Sequence, residues 1–437
     1  MPTGGTDAAC DPARTALRYG VFHALTDAVT VAVVFRAVRA GGVPLESALA
    51  LVVAYDLLAF AGQLVLGWAQ DRWYGPRAAL WAGAVLGAVA TTVHGVTPMA
   101  AVVLAGTANA LVHLGAGASV LRLGLHVATP AGLFVAPGAL GLGVGLWLGR
   151  NPGIGPLWPL GMLLLLVLLP LVRLPSVPGR RAEAAPAGPP RAGDVRSHLA
   201  PRSGTRPAGP SQAGPSPSGP SPAGPSPAGP SLSGLPHLAP DILRGALVLL
   251  LVSIAVRSLV GLTAARGYQR SDWLVVGIPV AGFLGKSLGG VVADRFGWIR
   301  TTVTVLLVSA PLVAVPWSHP VILLAGLLAF QMTMPVTLVT VARLMPNRLG
   351  TAFGWTCFAL ALGSLPAMFD WGGVLSARPM LFGWILVAAV AVFAGLTLAE
   401  VGDRDRDRGP GGGLATRTIT GTGRDGVDEC PAPQPSR

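Results

Sequence analysis

The sequence predicts an all-α integral membrane protein with twelve transmembrane helices in two sets of six. Three observations lead there. The 437-residue chain is 52% hydrophobic and only 11% charged, whereas charged residues make up about a quarter of a soluble domain. Apolar windows close to the roughly 20 residues that cross about 30 Å of hydrocarbon recur along it. A single polar stretch, 175–240, divides those windows evenly.

The first six windows run at about 17–38, 47–69, 78–96, 99–121, 128–149 and 156–174. The second six run at about 242–264, 272–292, 301–317, 320–343, 350–371 and 379–399. Between them the chain is Pro, Gly, Ser and Ala with scattered Arg, and a five-residue unit (AGPSQ, AGPSP, SGPSP, AGPSP, AGPSL) repeats from Ala208 to Leu232. Such a composition buries no core and favours an extended, solvated backbone, so a disordered tether is expected. The plan is therefore an N-terminal tail (1–16), a six-helix bundle (17–174), a linker (175–240), a second bundle (241–400) and a tail (401–437) expected to be disordered from its GDRDRDR start. The first apolar run is long enough to span, so it reads as a helix and not as a cleavable signal.

Lys and Arg number 31 against 19 Asp and Glu, a net charge of +12. Nucleic-acid binders cluster such cations on one face. Here they punctuate apolar runs, so the expected partner is membrane lipid and not nucleic acid. With both termini cytoplasmic, 23 of the cations fall inside and 6 outside, and the short segments alone still give 9 against 6. The positive-inside rule thus predicts N-in and C-in, in a plasma membrane of bacterial type. Cys10, Cys357 and Cys430 form no CxxC, which excludes a disulfide framework or zinc module. The chain has no GxxxxGK[ST], HExxH or GxSxG. No enzyme, cofactor or metal is therefore expected, and any transport would draw on an ion or solute gradient.

One motif occurs twice. After the second window the chain reads Gly67-Trp-Ala-Gln-Asp71-Arg72-Trp-Tyr-Gly75-Pro-Arg77, and after the eighth Gly290-Val-Val-Ala-Asp294-Arg295-Phe-Gly297-Trp-Ile-Arg300. The first glycine allows close helix approach, the aspartate can cap a helix or meet arginine, and the cations hold the turn inside. With this word at the same turn of each half, the sequence resembles the major facilitator superfamily of secondary transporters over both six-helix halves. The resemblance implies two six-helix bundles around a central cavity that rock in alternating access. It also implies that Asp71 and Asp294 join an inter-helix charge network that latches one conformation. The first copy departs from the family pattern, because Gly75 follows Asp71 by four residues where Gly297 follows Asp294 by three. The fifth window, with Gly132, Pro137 and Gly141, resembles the family's antiporter motif, with Ala136 and Leu140 replacing two of its glycines. That subgroup implies proton-coupled export; Gly and Pro abundance is the competing explanation.

Ionisable groups inside spans are costly and mark pathways. His23 and Asp27 share one face of the first span at i and i+4, with Asp27 near mid-membrane, a candidate proton carrier beside a relay. Asn109 and His113 repeat that spacing on the fourth span, and the family architecture implies that both spans line the cavity. Lys286, the only lysine, lies eight residues before Asp294 and either snorkels to the interface or faces an anion across the cavity. Arg257 and Asp56 fall at matching depth in opposite halves, as a gate pair would. On the tenth span, Gln331 is a cavity candidate, while Thr333, Thr337 and Thr340 suit back-bonding to their own helix. Asp370 and Trp371 suit the interface.

These features favour proton-coupled efflux of a drug-like or amphipathic compound. Uptake of a small organic anion is the alternative if Lys286 and Arg257 face the cavity. A rival of another class is a non-transporting scaffold or sensor that uses the long linker and basic tail.

Overall fold

Apolar length sets the helices, and the turns fall where the apolar runs break. The computed structural model describes residues 11–40, 44–93, 95–151, 238–266, 272–314, 320–369, 372–375 and 377–408, and all regular structure among them is helical. In the first half α1 is Pro12–Ala40, α2 Leu45–Asp56, α3 Gly62–Ala69, α4 Gly75–Val93, α5 Pro98–Leu121 and α6 Thr129–Arg150. In the second half α7 is Leu238–Arg266, α8 Asp272–Phe296, α9 Trp298–Ala314, α10 Pro320–Gln331, α11 Met334–Leu344, α12 Leu349–Met368, α13 Gly372–Leu375 and α14 Arg378–Arg408. Eleven of the twelve expected spans lie on these helices. The sixth, 156–174, lies outside the described residues, as do almost all of the linker, Asp370, Trp371 and the chain beyond residue 408.

The outer faces carry large apolar side chains open to the surroundings, Val65, Val276 and Val390 among them. Burial of such groups is what water would demand, so their exposure suits hydrocarbon. The chain is a multi-pass membrane protein.

Three local departures from the expected spans have physical causes. The second and third spans form one helical run from Glu46 to Val93, interrupted by π turns at Leu57–Ala61 and Gln70–Tyr74 and broken only at Gly75. The tenth span is split: α10 stops at Gln331 and α11 starts at Met334, with Pro335, which has no N–H to give, in its first turn. The last helix continues to Arg408, so the stretch Val401–Arg408 is helical and not disordered as expected. Asp403 there bonds Arg343 at 2.6 Å, a tertiary anchor that composition does not reveal.

Within the first half, α1 packs along α6 and α5, and α4 along α5. In the second half, α14 packs against α7 and α9, and α10 against α8 and α9. The halves meet along two seams, α3 with α12 and α6 with α8. The motif glycines sit in these seams. A Cβ on Gly290 would meet the Ala128 carbonyl oxygen at 2.7 Å, and one on Gly67 would collide with the Gly350 carbonyl. Glycine here lets one helix backbone approach another more closely than any side chain would allow.

Candidate functional site

The doubled motif makes a doubled contact. Asp71 accepts from the backbone N–H of Gly350 at 2.9 Å, the N–H of Thr351 at 2.7 Å and the Thr351 hydroxyl at 2.8 Å. Asp294 accepts from the N–H of Ala128 at 2.7 Å, the N–H of Thr129 at 2.8 Å and the Thr129 hydroxyl at 2.6 Å. Trp298 Nε1 adds a fourth donor to Asp294 at 3.0 Å. Each aspartate therefore caps the first turn of a helix in the opposite half, α12 for Asp71 and α6 for Asp294. Neither helix has a capping side chain of its own. Unpaired N–H groups and the positive end of the helix dipole make such a position attractive to a carboxylate. The expected charge network is thus a carboxylate on a helix start. Among the described residues neither aspartate makes an ion pair with Arg72 or Arg295.

The extra residue of the first copy is absorbed by the π turn Gln70–Tyr74 that carries Asp71. A π turn holds one residue more than the α-helix it interrupts. Both copies then end on a glycine with positive φ, Gly75 at 72° and Gly297 at 94°, the two such glycines among the described residues. The register of the sequence differs while the register of the contact is the same.

Deeper in the bundle, His23 and Asp27 on α1 meet Asn109 and His113 on α5. His23 Nε2 lies 3.1 Å and His113 Nε2 3.4 Å from the Asp27 carboxylate, and Asn109 Nδ2 donates to it at 2.9 Å. The rings of His23 and His113 meet edge to face, 4.2 Å between centroids. His23 Nδ1 lies 3.1 Å from the Phe134 carbonyl, one turn before Pro137, and His113 Nδ1 lies 2.7 Å from the Asn109 carbonyl. A carbonyl oxygen only accepts, so each Nδ1 carries the hydrogen and each neutral Nε2 presents a lone pair. When both rings are neutral, two lone pairs face one carboxylate. The arrangement becomes attractive when a proton stands between them. All four residues are buried or nearly so; Asn109 is 1% and His113 5% exposed. Asn109 also donates to Thr30, which bonds the Tyr55 hydroxyl at 2.9 Å, so the network continues to α2.

Gly138 lies against the His23 ring and Gly141 against the Ala24 carbonyl, with no room for a Cβ at either. Gly132 lies against the Lys286 carbonyl of α8. The small residues of the antiporter-like stretch thus let α6 approach α1 on one side and α8 on the other.

The second half supplies the cations. Arg257 is 5% exposed and donates to the Thr337 hydroxyl of α11 at 3.1 Å. Lys286 makes no hydrogen bond or ion pair among the described residues, and the charges of Arg257 and Asp27 both act on it. The expected pairing of Asp56 with Arg257 is not made. Asp56 accepts from Ser364 of α12 at 2.7 Å instead, a further bond between the halves. Gln331 ends α10, its Cβ close to Gly285 of α8. His23, Asp27 and His113 also bring potential ligand atoms within 4.8 Å of one another, as a metal ion would need.

Sequence spacing paired His23 with Asp27 and Asn109 with His113, and the structure joins the pairs. Thr30, Tyr55, Thr351 and Thr129 escaped the sequence reading. Only the i+3 spacing of Thr30 from Asp27 offered a signal.

No family model matches the sequence, and no curated relative matches it. Solved structures do. FucP, a major facilitator superfamily transporter in its outward conformation, aligns at TM-score 0.56 with 12% identity, over 89% of this chain and 98% of its own. The human organic anion transporter MFSD10 aligns at 0.57 with 16% identity, over 88% of this chain and 100% of its own. The Escherichia coli fucose:proton symporter FucP, in another structure, aligns at 0.54 with 13% identity, over 89% and 98%. The chain has the major facilitator fold, in which twelve helices form two halves of six.

Proposed function

We propose that the protein is a secondary active transporter, moving a small solute by alternating access and coupled to protons at Asp27, His23 and His113. The observation that carries this reading is the pair of imidazole Nε2 atoms aimed at one carboxylate. The cluster holds a proton when loaded and is left with facing acceptors when emptied, so proton occupancy alters how α1 and α5 pack. Its electrostatic surroundings are Tyr55 on α2, Lys286 on α8 and Cys357 on α12. One structural neighbour is a fucose:proton symporter, which supports proton coupling in general.

The Asp71 and Asp294 caps close the motif end of the bundle across both seams. Opening that end must break both, which makes them the latches of the cycle. The positive-inside bias puts this end in the cytoplasm of a plasma membrane. The sequence motif supports export of a drug-like compound, but Gly132 and Gly141 also have a packing role, so the test must read both directions.

The test is accumulation of a panel of amphiphilic dyes, drugs and organic acids in bacteria lacking their main efflux pumps. Wild type, Asp27→Asn and empty vector are compared at equal membrane expression, with and without a protonophore. The expected result is a change in accumulation of at least one compound, of either sign, that both the protonophore and Asp27→Asn remove. Wild-type transport that survives both would refute proton coupling at this cluster.

A further inference from the structure

The membrane interior of this protein holds acids and bases that do not pair with one another. Asp27 is occupied by two histidines and Asn109, and Asp56 by Ser364. Arg257 gives one bond to a neutral threonine, and Lys286 has no partner among the described residues. A buried cation without a counter-charge, as Arg257 is, is expensive, because desolvation is not offset by an opposite charge at contact. The two lie on packed elements: Arg257 bonds Thr337 of α11, and α11 packs against α8, the helix that carries Lys286.

A third positive feature sits beside them. The tenth span breaks between Gln331 and Met334, and α11 begins there with no side chain capping its first turn. Thr337, the hydroxyl that Arg257 holds, lies in the first turns of α11. The break is pressed onto the helix that carries Lys286: Gly289 of α8 lies against Met332, and Gly285 against Leu328 and Gln331. Interrupted helices at mid-membrane expose a positive dipole end and fix it toward an anionic group of the substrate. Here the helix that carries Lys286 and the helix whose Thr337 holds Arg257 meet at a helix start within one half.

We infer that the transported solute is a small organic anion whose carboxylate, phosphonate or sulfonate is held between Arg257 and Lys286 at the break of the tenth span. This deepens the transporter reading and rests on it. The planar fork of Arg257 suits a two-oxygen acidic head, and Thr337 fixes the direction of that fork. Lys286 adds a mobile point charge. The Asp27 cluster on the facing half takes the proton, so the two cargoes have separate seats.

The test uses the full chain in lipid nanodiscs and follows its thermal unfolding midpoint. Probes are acetate, lactate, succinate, citrate, benzoate, methylphosphonate and methanesulfonate, each against its uncharged amide or ester, with zinc as a separate arm. The expected result is a concentration-dependent rise with at least one acid and none with its neutral counterpart. Arg257→Gln and Lys286→Met should each weaken that acid's apparent affinity at least about tenfold, a loss of 1.4 kcal/mol. Arg257→Lys should recover part of it. The inference is overturned if no acid acts, if the neutral counterparts act equally, or if the acid response survives both cation replacements. A zinc response that His113→Gln removes, with no acid response, would also overturn it and assign the cavity to a metal. If Asp27→Asn leaves flux untouched while acid binding still requires Arg257 and Lys286, proton coupling at Asp27 fails and the anion seat stands.

Discussion

At the motif end of the bundle the two halves perform the same act on each other. Asp71 reaches the start of α12 in the second half, and Asp294 reaches the start of α6 in the first, each taking two backbone N–H groups and a threonine hydroxyl. At mid-membrane the halves differ: the first offers a carboxylate between two imidazoles, the second a guanidinium and an ammonium. On the proposed function, the repeat has kept the device that moves the halves and diversified the groups that would meet the cargo. Symmetry is useful where two rigid bodies must open and close together; chemistry needs unlike groups facing one another.

The largest expected effect lies in the asymmetric region. Asp27→Asn should reduce proton-driven flux to the vector background while leaving folding intact, since the amide still accepts from Asn109; solute uptake and efflux assays check this. Next come the seam glycines. Gly67→Ala or Gly290→Ala forces a methyl into a backbone contact, and overpacking of this kind costs about 1–3 kcal/mol. The motif end should then fail to close, read as increased labelling of a single cysteine placed on the inner seam.

The latches come third, and they test the symmetry itself. Loss of a capping side chain costs about 1 kcal/mol, with charge and dipole adding up to about as much again. Asp71→Ala and Asp294→Ala should therefore each shift the balance toward the open motif end by roughly tenfold. The two shifts should match within a factor of about three, and electron-spin distance measurements between the halves would show it. A much weaker effect at Asp71 would mean that the π turn does not restore equivalence.

Smaller still is Tyr55→Phe, which removes one hydrogen bond to Thr30, worth about 1 kcal/mol. It should lower the thermal midpoint slightly and leave coupled flux in place. Asp403→Asn breaks a partly exposed pair with Arg343 and should cost less than about 1 kcal/mol.

Much of the architecture was legible because hydrocarbon imposes a length and polarity rule on each span. The i, i+4 spacing of His23 with Asp27, and of Asn109 with His113, was legible because 3.6 residues make a turn. Which pair faces which was not, since nothing local to α1 specifies α5. The caps at Thr351 and Thr129 were hidden for the same reason: an aspartate in a loop does not announce which helix start it will reach. The π turn at Gln70–Tyr74 has its one sequence signal in the unequal spacing of the two motif copies, since the turn takes up the extra residue. The split of the tenth span had a clue in Pro335, and the helical GDRDRDR stretch had none, because its stability comes in part from Arg343.

The most direct test of the central claim is proton uptake by the purified protein, titrated between about pH 5 and pH 9, where histidine-containing clusters change charge. Wild type is compared with Asp27→Asn and with His113→Gln. The account predicts that wild type binds at least one more proton than Asp27→Asn across this range, and that His113→Gln moves the pH at which it is released. Superimposable titration curves for all three proteins would contradict it.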